Sequence, residues 1–186
     1  TEHHADLTPI FSKHKIERQV QTVYKRNINL PSGGNIVIDS TEALVSIDVN
    51  SARSTKGSDI EETALTTNIE AAIEILTQLK LRDIGGLVVI DFIDMMSVNS
   101  QKSVMRKVAE YAKKDKAKIQ FARISKFGLM ELSRQKLKSS IIQNNYENCP
   151  TCDGTGQIKS LSSLAISILR IIEEEAINSK NKETVY

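Results

Sequence analysis

Two short runs alternate apolar and polar residues early in the chain. They lie at 35–39 (NIVID) and 43–50 (ALVSIDVN), with the turn signal LPSGG before them. Joined by Ser-Thr-Glu, they predict a β-hairpin. The period then changes. Ile60, Ala64, Ile69, Ala72, Ile73, Leu76 and Leu79 recur at helical spacing and predict a long helix ending near Arg82, with Ser58 or Asp59 as its cap. Two glycines at 85–86 break the chain before LVVIDFID (87–94), a strand whose nearly unbroken apolar character predicts burial on both faces. Ser97 is placed to cap a second helix reaching about Lys114, with Val104, Met105, Val108 and Ala112 inward. Residues 117–123 (AKIQFAR) alternate as a strand, 128–135 (GLMELSRQ) read as a short helix, and a last helix is expected over about 160–179. Residues 8–24 read as the tail of a helix or as an element of an earlier domain. The order β-β-α-β-α-β predicts an α/β (α+β) layered sheet-and-helix core over about 25–145.

Composition narrows the class. The chain has 186 residues, 40% of them hydrophobic, which is enough for a sizeable core. No apolar run is long enough for a membrane span and no signal-peptide pattern opens the chain. Two cysteines do not make a secreted disulfide framework, so the expected compartment is the cytoplasm. The first residue is Thr1, not Met, and the expectation is a piece of a longer protein. A net charge of +2 conceals an asymmetry: 11 acidic against 4 basic residues from Asp39 to Asp94, then 12 basic against 3 acidic from Gln101 to Ser140. Differently charged solvated helix faces would give this pattern. So would an acidic metal site beside a surface that faces a polyanion.

The alternation locates candidate chemistry. In 45–50 it puts Val45, Ile47 and Val49 on one face and Ser46, Asp48 and Asn50 on the other. Asp91 sits within an otherwise apolar strand. Carboxylates at two strand ends could share a Mg²⁺ ion; equally, Asp48 could cap a turn while Asp91 accepts backbone N–H groups. Asp94 reads as a turn cap. His3, His4 and His14 belong to no motif and read as surface residues.

Cys149 and Cys152 are the chain's two cysteines, in CPTCDGTG, with spacing that suits a metal knuckle. A closed zinc site needs four ligands, and this chain offers two thiols. A redox CxxC is the alternative, but such motifs usually sit where a strand meets a helix N-terminus, and here polar loop flanks the cysteines.

The blocks IVIDSTEALVSIDVNSARSTKGSDIEETALTTNIEAA, LRDIGGLVVIDFIDM and CPTCDGTG resemble the catalytic half of the bacterial ribonuclease E/G family. The stretch VNSARSTKGSDIEET is closer to the E branch than to the G branch. The resemblance runs over nearly the whole chain. It implies the end of a ribonuclease H-like part at 1–24, a deoxyribonuclease I-like catalytic subdomain at 25–145, a zinc link at 146–157 and the start of a small dimerisation domain at 158–186. The family's RNA-binding barrel and 5′-end sensor have no counterpart in this chain. The resemblance implies Asp48 and Asp91 as catalytic Mg²⁺ ligands and Asn50 as the supporting amide. The implied reaction is hydrolysis of single-stranded, A/U-rich RNA by metal-activated water, leaving a 5′-phosphate and a 3′-hydroxyl, in mRNA decay and in rRNA and tRNA processing. It further implies that Cys149 and Cys152 hold a structural Zn²⁺ together with the same pair from a second chain, within a homotetramer built as a dimer of zinc-linked dimers. Degradosome partners would bind outside this chain, and absent regions would allow association with the cytoplasmic face of the inner membrane. Arg53, Lys56, Lys118 and Arg123 are the basic residues expected to meet RNA phosphates. Aromatic residues are only 4% of the chain, so base-stacking platforms are not evident from composition.

Overall fold

The computed structural model describes residues 7–52, 60–138, 140, 147 and 149–178. The chain divides into two units, 1–145 and 146–186. In the first, two short helices, α1 (Ile10–Lys13) and α2 (Ile16–Val23), precede strand β1 (Asn27–Asn29). The expected hairpin follows as β2 (Asn35–Ser40) and β3 (Val45–Asn50), paired antiparallel with Ile38 opposite Ile47. Helix α3 (Ile60–Leu81) then crosses over to β4 (Gly86–Asp91), which lies parallel to β3. After α4 (Val98–Ala112) the chain adds β5 (Ile119–Phe121) and β6 (Leu129–Arg134). The six strands are ordered β1-β2-β3-β4-β6-β5, and β3–β4 is the parallel pair among antiparallel neighbours. Parallel neighbours need a long crossover, and α3 supplies it.

One face of this sheet carries the core. Ile36, Ile47, Val88, Ile90, Met130 and Leu132 cluster with Ala71, Ile75 and Leu79 of α3 and with Val104 and Val108 of α4. The other face is open. Asp48 and Asn50 of β3, Asp91 of β4 and Glu131 and Ser133 of β6 are exposed there. The architecture is thus a layered α/β sheet-and-helix fold, as the element order predicts.

Three expectations are corrected. The apolar β4 is not buried on both faces: Leu87 is 45% exposed, while Val88 and Ile90 are buried. Segment 128–135 forms no helix. It becomes β6, between β4 and β5, with Met130, Leu132 and Arg134 inward and Glu131 and Ser133 outward. Leu, Met and Glu are good helix formers, but ladder groups on both flanking strands need partners, and tertiary pairing overrides local propensity. Helix α3 buries a wider face than expected: Ala64, Ala72, Leu76 and Leu79 are inward as expected, Asn68, Ala71 and Ile75 join them, Ile60 is exposed, and Ile69 and Ile73 lie at the flanks. Small alanines let the helix approach the sheet closely, and polar Asn68 and Thr67 on the inner face disguise the pattern. The cap expected at Ser58 or Asp59 lies outside the described residues. Ser97 does cap α4, accepting from the Ser100 N–H at 3.4 Å.

Two buried arginines tie loops to this core. Arg82 donates to Gln78 Oε1 at 2.9 Å and to the Lys25 carbonyl at 2.7 Å, anchoring the chain just past α2. Arg134, only 2% exposed, donates from Nε and Nη2 to the two carboxylate oxygens of Asp115 at 2.8 and 3.2 Å, and from Nη1 to the Ile84 carbonyl at 2.8 Å. Desolvation pushes the Asp115 carboxyl up, but hydrogen bonds from Arg134 and from the Ala117 N–H outweigh it and leave the pKa below the usual carboxylate range.

The second unit holds α5 (Leu161–Asn178), as expected for the last helix. Its first turn is capped by Ser160, whose hydroxyl accepts from the Ser163 N–H at 3.3 Å. Leu161, Leu164, Ile168, Leu169, Ile171 and Ile172 are all exposed. Among the described residues, no helix is long and apolar enough to cross a membrane.

The Asp115–Arg134 pair generates a stability prediction. Arg134→Leu leaves a buried carboxylate unpaired and should cost ~3–5 kcal/mol. Asp115 has a lowered folded pKa, so the native state binds its proton less tightly than the unfolded chain. Its stabilisation should be complete above the ordinary carboxylate pKa of about 4 and disappear as pH falls through the depressed folded value. Urea midpoints across that acid range should drop for the wild type, with the Asp115 component absent from Asp115→Asn.

Candidate active site

The parallel register of β3 and β4 decides where the acids go. Val45 pairs with Val88 and Ile47 with Ile90, so Asp48 falls directly beside Asp91. Both follow a buried aliphatic residue, and alternation turns both to the open face. Neighbouring strands are ~4.8 Å apart, so the two carboxylates are within reach of one cation. Asn50, two residues beyond Asp48 on the same face, donates from Nδ2 to Asp48 Oδ2 at 2.8 Å and fixes that carboxylate's orientation.

The loop after β4 is held in place by α3. The buried Asn68 side chain donates to the Ile93 carbonyl at 2.8 Å and accepts the Ile93 N–H at 3.0 Å. Glu61, in the first turn of α3, accepts the Met96 and Ser97 N–H groups at 2.9 and 3.2 Å. Between these anchors, Asp94 joins Asp48, Asn50 and Asp91 along one open cleft, which Phe127 also lines. Asp94 is therefore part of the cleft, carried on the irregular segment that follows the strand, where no turn forms for it to cap. Partial desolvation, then repulsion from Asp48 and Asp94, raises the Asp91 pKa above the usual carboxylate value.

Gly128, just before β6, lies beside the acids. Its φ is +77°, and a Cβ there would come within 3.0 Å of the Phe92 carbonyl oxygen and 3.3 Å of an Asp94 carboxylate oxygen. A side chain would strain the backbone and crowd the acids. Asn68, Gly128 and Phe127 are positions at or behind the cleft that the sequence does not single out. A buried amide amid the alanines of α3 was the available signal, since such a group requires partners.

Of the other expected residues, Arg53 and Lys56 lie outside the described residues. Lys118 and Arg123 flank β5 without belonging to it. Lys118 lies at the Arg134 end of the sheet, opposite the carboxylates, because β5 and β6 pair antiparallel with Ile119 beside Arg134. Arg123 follows β5 on the side leading back toward the carboxylate end, and it is exposed. His3 and His4 also fall outside the described residues.

In the second unit, the cysteines occupy a tight knuckle. Asp153, Gly154 and Gly156 all have positive φ, which curls the backbone around the thiols. The Gly156 N–H donates to Cys152 Sγ at 3.3 Å. Hydrogen bonds from the Cys152 and Thr151 backbones lower the Cys149 pKa, favouring the thiolate. Both cysteines are free. Among the described residues, no group of three or more His, Cys, Asp or Glu side chains is placed to hold a metal ion. Each candidate centre therefore offers two ligands of its own kind: two carboxylates with an amide in the first unit, two thiols in the second.

Comparison with known proteins places these features in a family. Residues 1–137 match the description "Ribonuclease E/G family", and residues 148–186 match "RNase E/G, Thioredoxin-like domain". Within that second match Cys149 and Cys152 lie twelve and nine residues ahead of α5, and the described residues of the match contain no strand. Ribonuclease E of Haemophilus influenzae is 54% identical over 175 residues, covering 94% of this chain and 19% of the relative. Ribonuclease E of Escherichia coli is also 54% identical, covering 94% of this chain and 16% of the relative. Ribonuclease G of Escherichia coli is 34% identical over 171 residues, covering 92% of this chain and 35% of the relative. The chain thus spans under a fifth of the ribonuclease E relatives' length. On the match to residues 1–137 and these identities, the chain belongs to the ribonuclease E/G family.

Proposed function

We propose that this chain carries the hydrolytic centre of a Mg²⁺-dependent endoribonuclease. Its substrate is single-stranded A/U-rich RNA, and its products carry 5′-phosphate and 3′-hydroxyl ends. The reading extends to mRNA decay and to rRNA and tRNA processing. The observation that carries it is the β3–β4 register, which sets Asp48 beside Asp91 with Asn50 hydrogen-bonded to Asp48. The ribonuclease names of the relatives support the same chemistry.

The donor set fits the ion. Carboxylate and amide oxygens suit a hard cation, and Mg²⁺ commonly takes only one or two protein carboxylates. When bound, it supplies positive charge against phosphate oxygens and lowers the pKa of water. Asp48 and Asp91 are its ligands in this reading. Asn50 orients Asp48 and presents its remaining polar atoms to the phosphate. Gly128 keeps the cleft open for the backbone of the substrate. Arg123, and Arg53 and Lys56 outside the described residues, are proposed phosphate contacts.

Cys149 and Cys152 are proposed as half of a Zn²⁺ site completed by a second copy, since four thiolates close a tetrahedron and a two-fold axis supplies the other two. The exposed apolar residues of α5 suit a further contact between copies, giving a homotetramer that is a dimer of zinc-linked dimers. A second reading is an RNA-binding or assembly module without activity of its own, favoured by the small share of the relatives that this chain spans.

A short fluorogenic single-stranded RNA, incubated with the chain and Mg²⁺, tests the first reading. Cleavage should be reduced to background in Asp48→Asn and in Asp91→Asn, and by roughly 10–100-fold in Asn50→Ala. No cleavage by the wild type at high protein concentration would favour the assembly module. Asp91→Asn should also raise the melting temperature in the absence of metal. The sign follows from the raised pKa: the native state binds this proton more tightly than the unfolded chain, so the ionised group costs stability as pH rises through its folded pKa. For the second unit, metal analysis with native mass should give about half a zinc per chain. Chelation, or Cys149→Ser, should release the metal and halve the mass; a stoichiometric intramolecular disulfide without zinc would contradict the site.

A further inference from the structure

Phe127 is 81% exposed, yet it is not on a loose loop. The turn that carries it is closed from every side. Ser125 N–H donates to the Leu129 carbonyl at 2.8 Å and Gly128 N–H to the Ser125 carbonyl at 3.2 Å. Ser125 Oγ accepts the N–H groups of Phe127 and Leu129 at 3.2 and 3.3 Å. Phe92 N–H, one residue past Asp91, donates to the Gly128 carbonyl at 3.2 Å. The turn is therefore fastened to the strand end that bears the acid, and its aromatic ring stands at the rim of the carboxylate cleft. The other phenylalanine of that cleft, Phe92, is buried in the core.

A ring mounted on a hydrogen-bonded turn and left largely in water beside a polar cleft offers its face to a stacking partner. A chain that delivers a phosphate to Asp48 and Asp91 must carry a base within one nucleotide of it. We infer that Phe127 is a positioning residue that stacks on the nucleobase flanking the scissile phosphate. The inference rests on the reading of the cleft as a phosphodiester-hydrolysing site. Every base presents a π-face, so this contact is tolerant of sequence and selects for unpaired RNA, whose bases are free to leave a stack. In a duplex the same base is stacked between its neighbours and its faces are not available to the ring. Composition alone hid this feature, because a single aromatic suffices when the turn fixes its location. Arg123 and Lys126, on the same segment, are exposed and add positive charge to it.

The test uses the chain with Phe127→Ala and Phe127→Trp, each also combined with Asp91→Asn to separate binding from cleavage. The probe is a short single-stranded RNA carrying 2-aminopurine beside the cleavage position, together with the same RNA made abasic there. In the Asp91→Asn background, binding should quench 2-aminopurine. Phe127→Ala should remove the quenching and weaken binding by roughly tenfold, a typical loss for one stacked base, while Phe127→Trp retains both. The abasic RNA should bind weakly to all variants with no dependence on position 127. In active protein, Phe127→Ala should raise KM by a similar factor more than it lowers kcat. Unchanged quenching and KM in Phe127→Ala, with cleavage intact, would overturn the stacking role and leave the hydrolytic reading standing. Quenching that depends on Phe127 in a wild type that cleaves nothing would uphold the stacking contact and sink the hydrolytic reading. A change in oligomeric mass or melting temperature, with RNA affinity untouched, would show that the ring packs on protein and would also overturn the inference.

Discussion

The acidic end of the sheet depends on one pairing, the parallel register of β3 against β4. Two carboxylates at neighbouring strand positions repel each other, on the order of 1 kcal/mol once water screens them. The aliphatic pairs behind them, Val45 with Val88 and Ile47 with Ile90, are buried, and each such side chain contributes about 1.5–3 kcal/mol on leaving water. The core therefore sets the register, and the acids are carried into proximity against their mutual repulsion. A one-residue slip would turn Asp91 to the helical side and expose the aliphatic residues. Core and site are for this reason not separable: the same two strands that bury Ile47 and Ile90 present Asp48 and Asp91.

Helix α3 serves both halves of that arrangement. It makes the crossover that a parallel pair requires, and its Asn68 and Glu61 hold the backbone that continues from β4. The Asn68 side chain offers Ile93 one donor and one acceptor, so it acts as the next rung of the sheet where no strand exists. The loop then bends away with its polar groups satisfied, and Asp94 is brought round to the cleft.

How far this was legible in the chain depended on the range of the interaction. The face shared by Ser46, Asp48 and Asn50 follows from alternation within six residues, and it was read correctly. Asp91 as a strand-end acid was equally plain. The strand character of β6 was not, because Leu129, Met130 and Glu131 favour a helix locally and only the ladders of β4 and β5 overrule them. The inner face of α3 is legible in part: Ala64, Ala72, Leu76 and Leu79 are buried as their spacing predicts, whereas Ile69 and Ile73 are only half-buried and the stripe also takes in Asn68 and Ala71. The Arg134–Asp115 pair and the Arg82 contact with the Lys25 carbonyl join residues 19 or more positions apart, and nothing in local spacing announces them. The cysteine knuckle is the opposite case: its glycines, positive φ values and N–H to sulfur contact are all local, so its form was foreseeable from eight residues.

The two outermost strands, β1 and β5, are each three residues long. A sheet edge is a row of backbone donors and acceptors that can recruit a strand from another molecule. Edges this short offer few rungs for such recruitment. This matters for a chain that also leaves one sheet face and the apolar residues of α5 in water, where an extended edge would let any encounter between copies propagate into a shared sheet. Association is thereby biased toward side chains and helices, which can be specific in geometry and finite in number, and away from open-ended aggregation through the backbone.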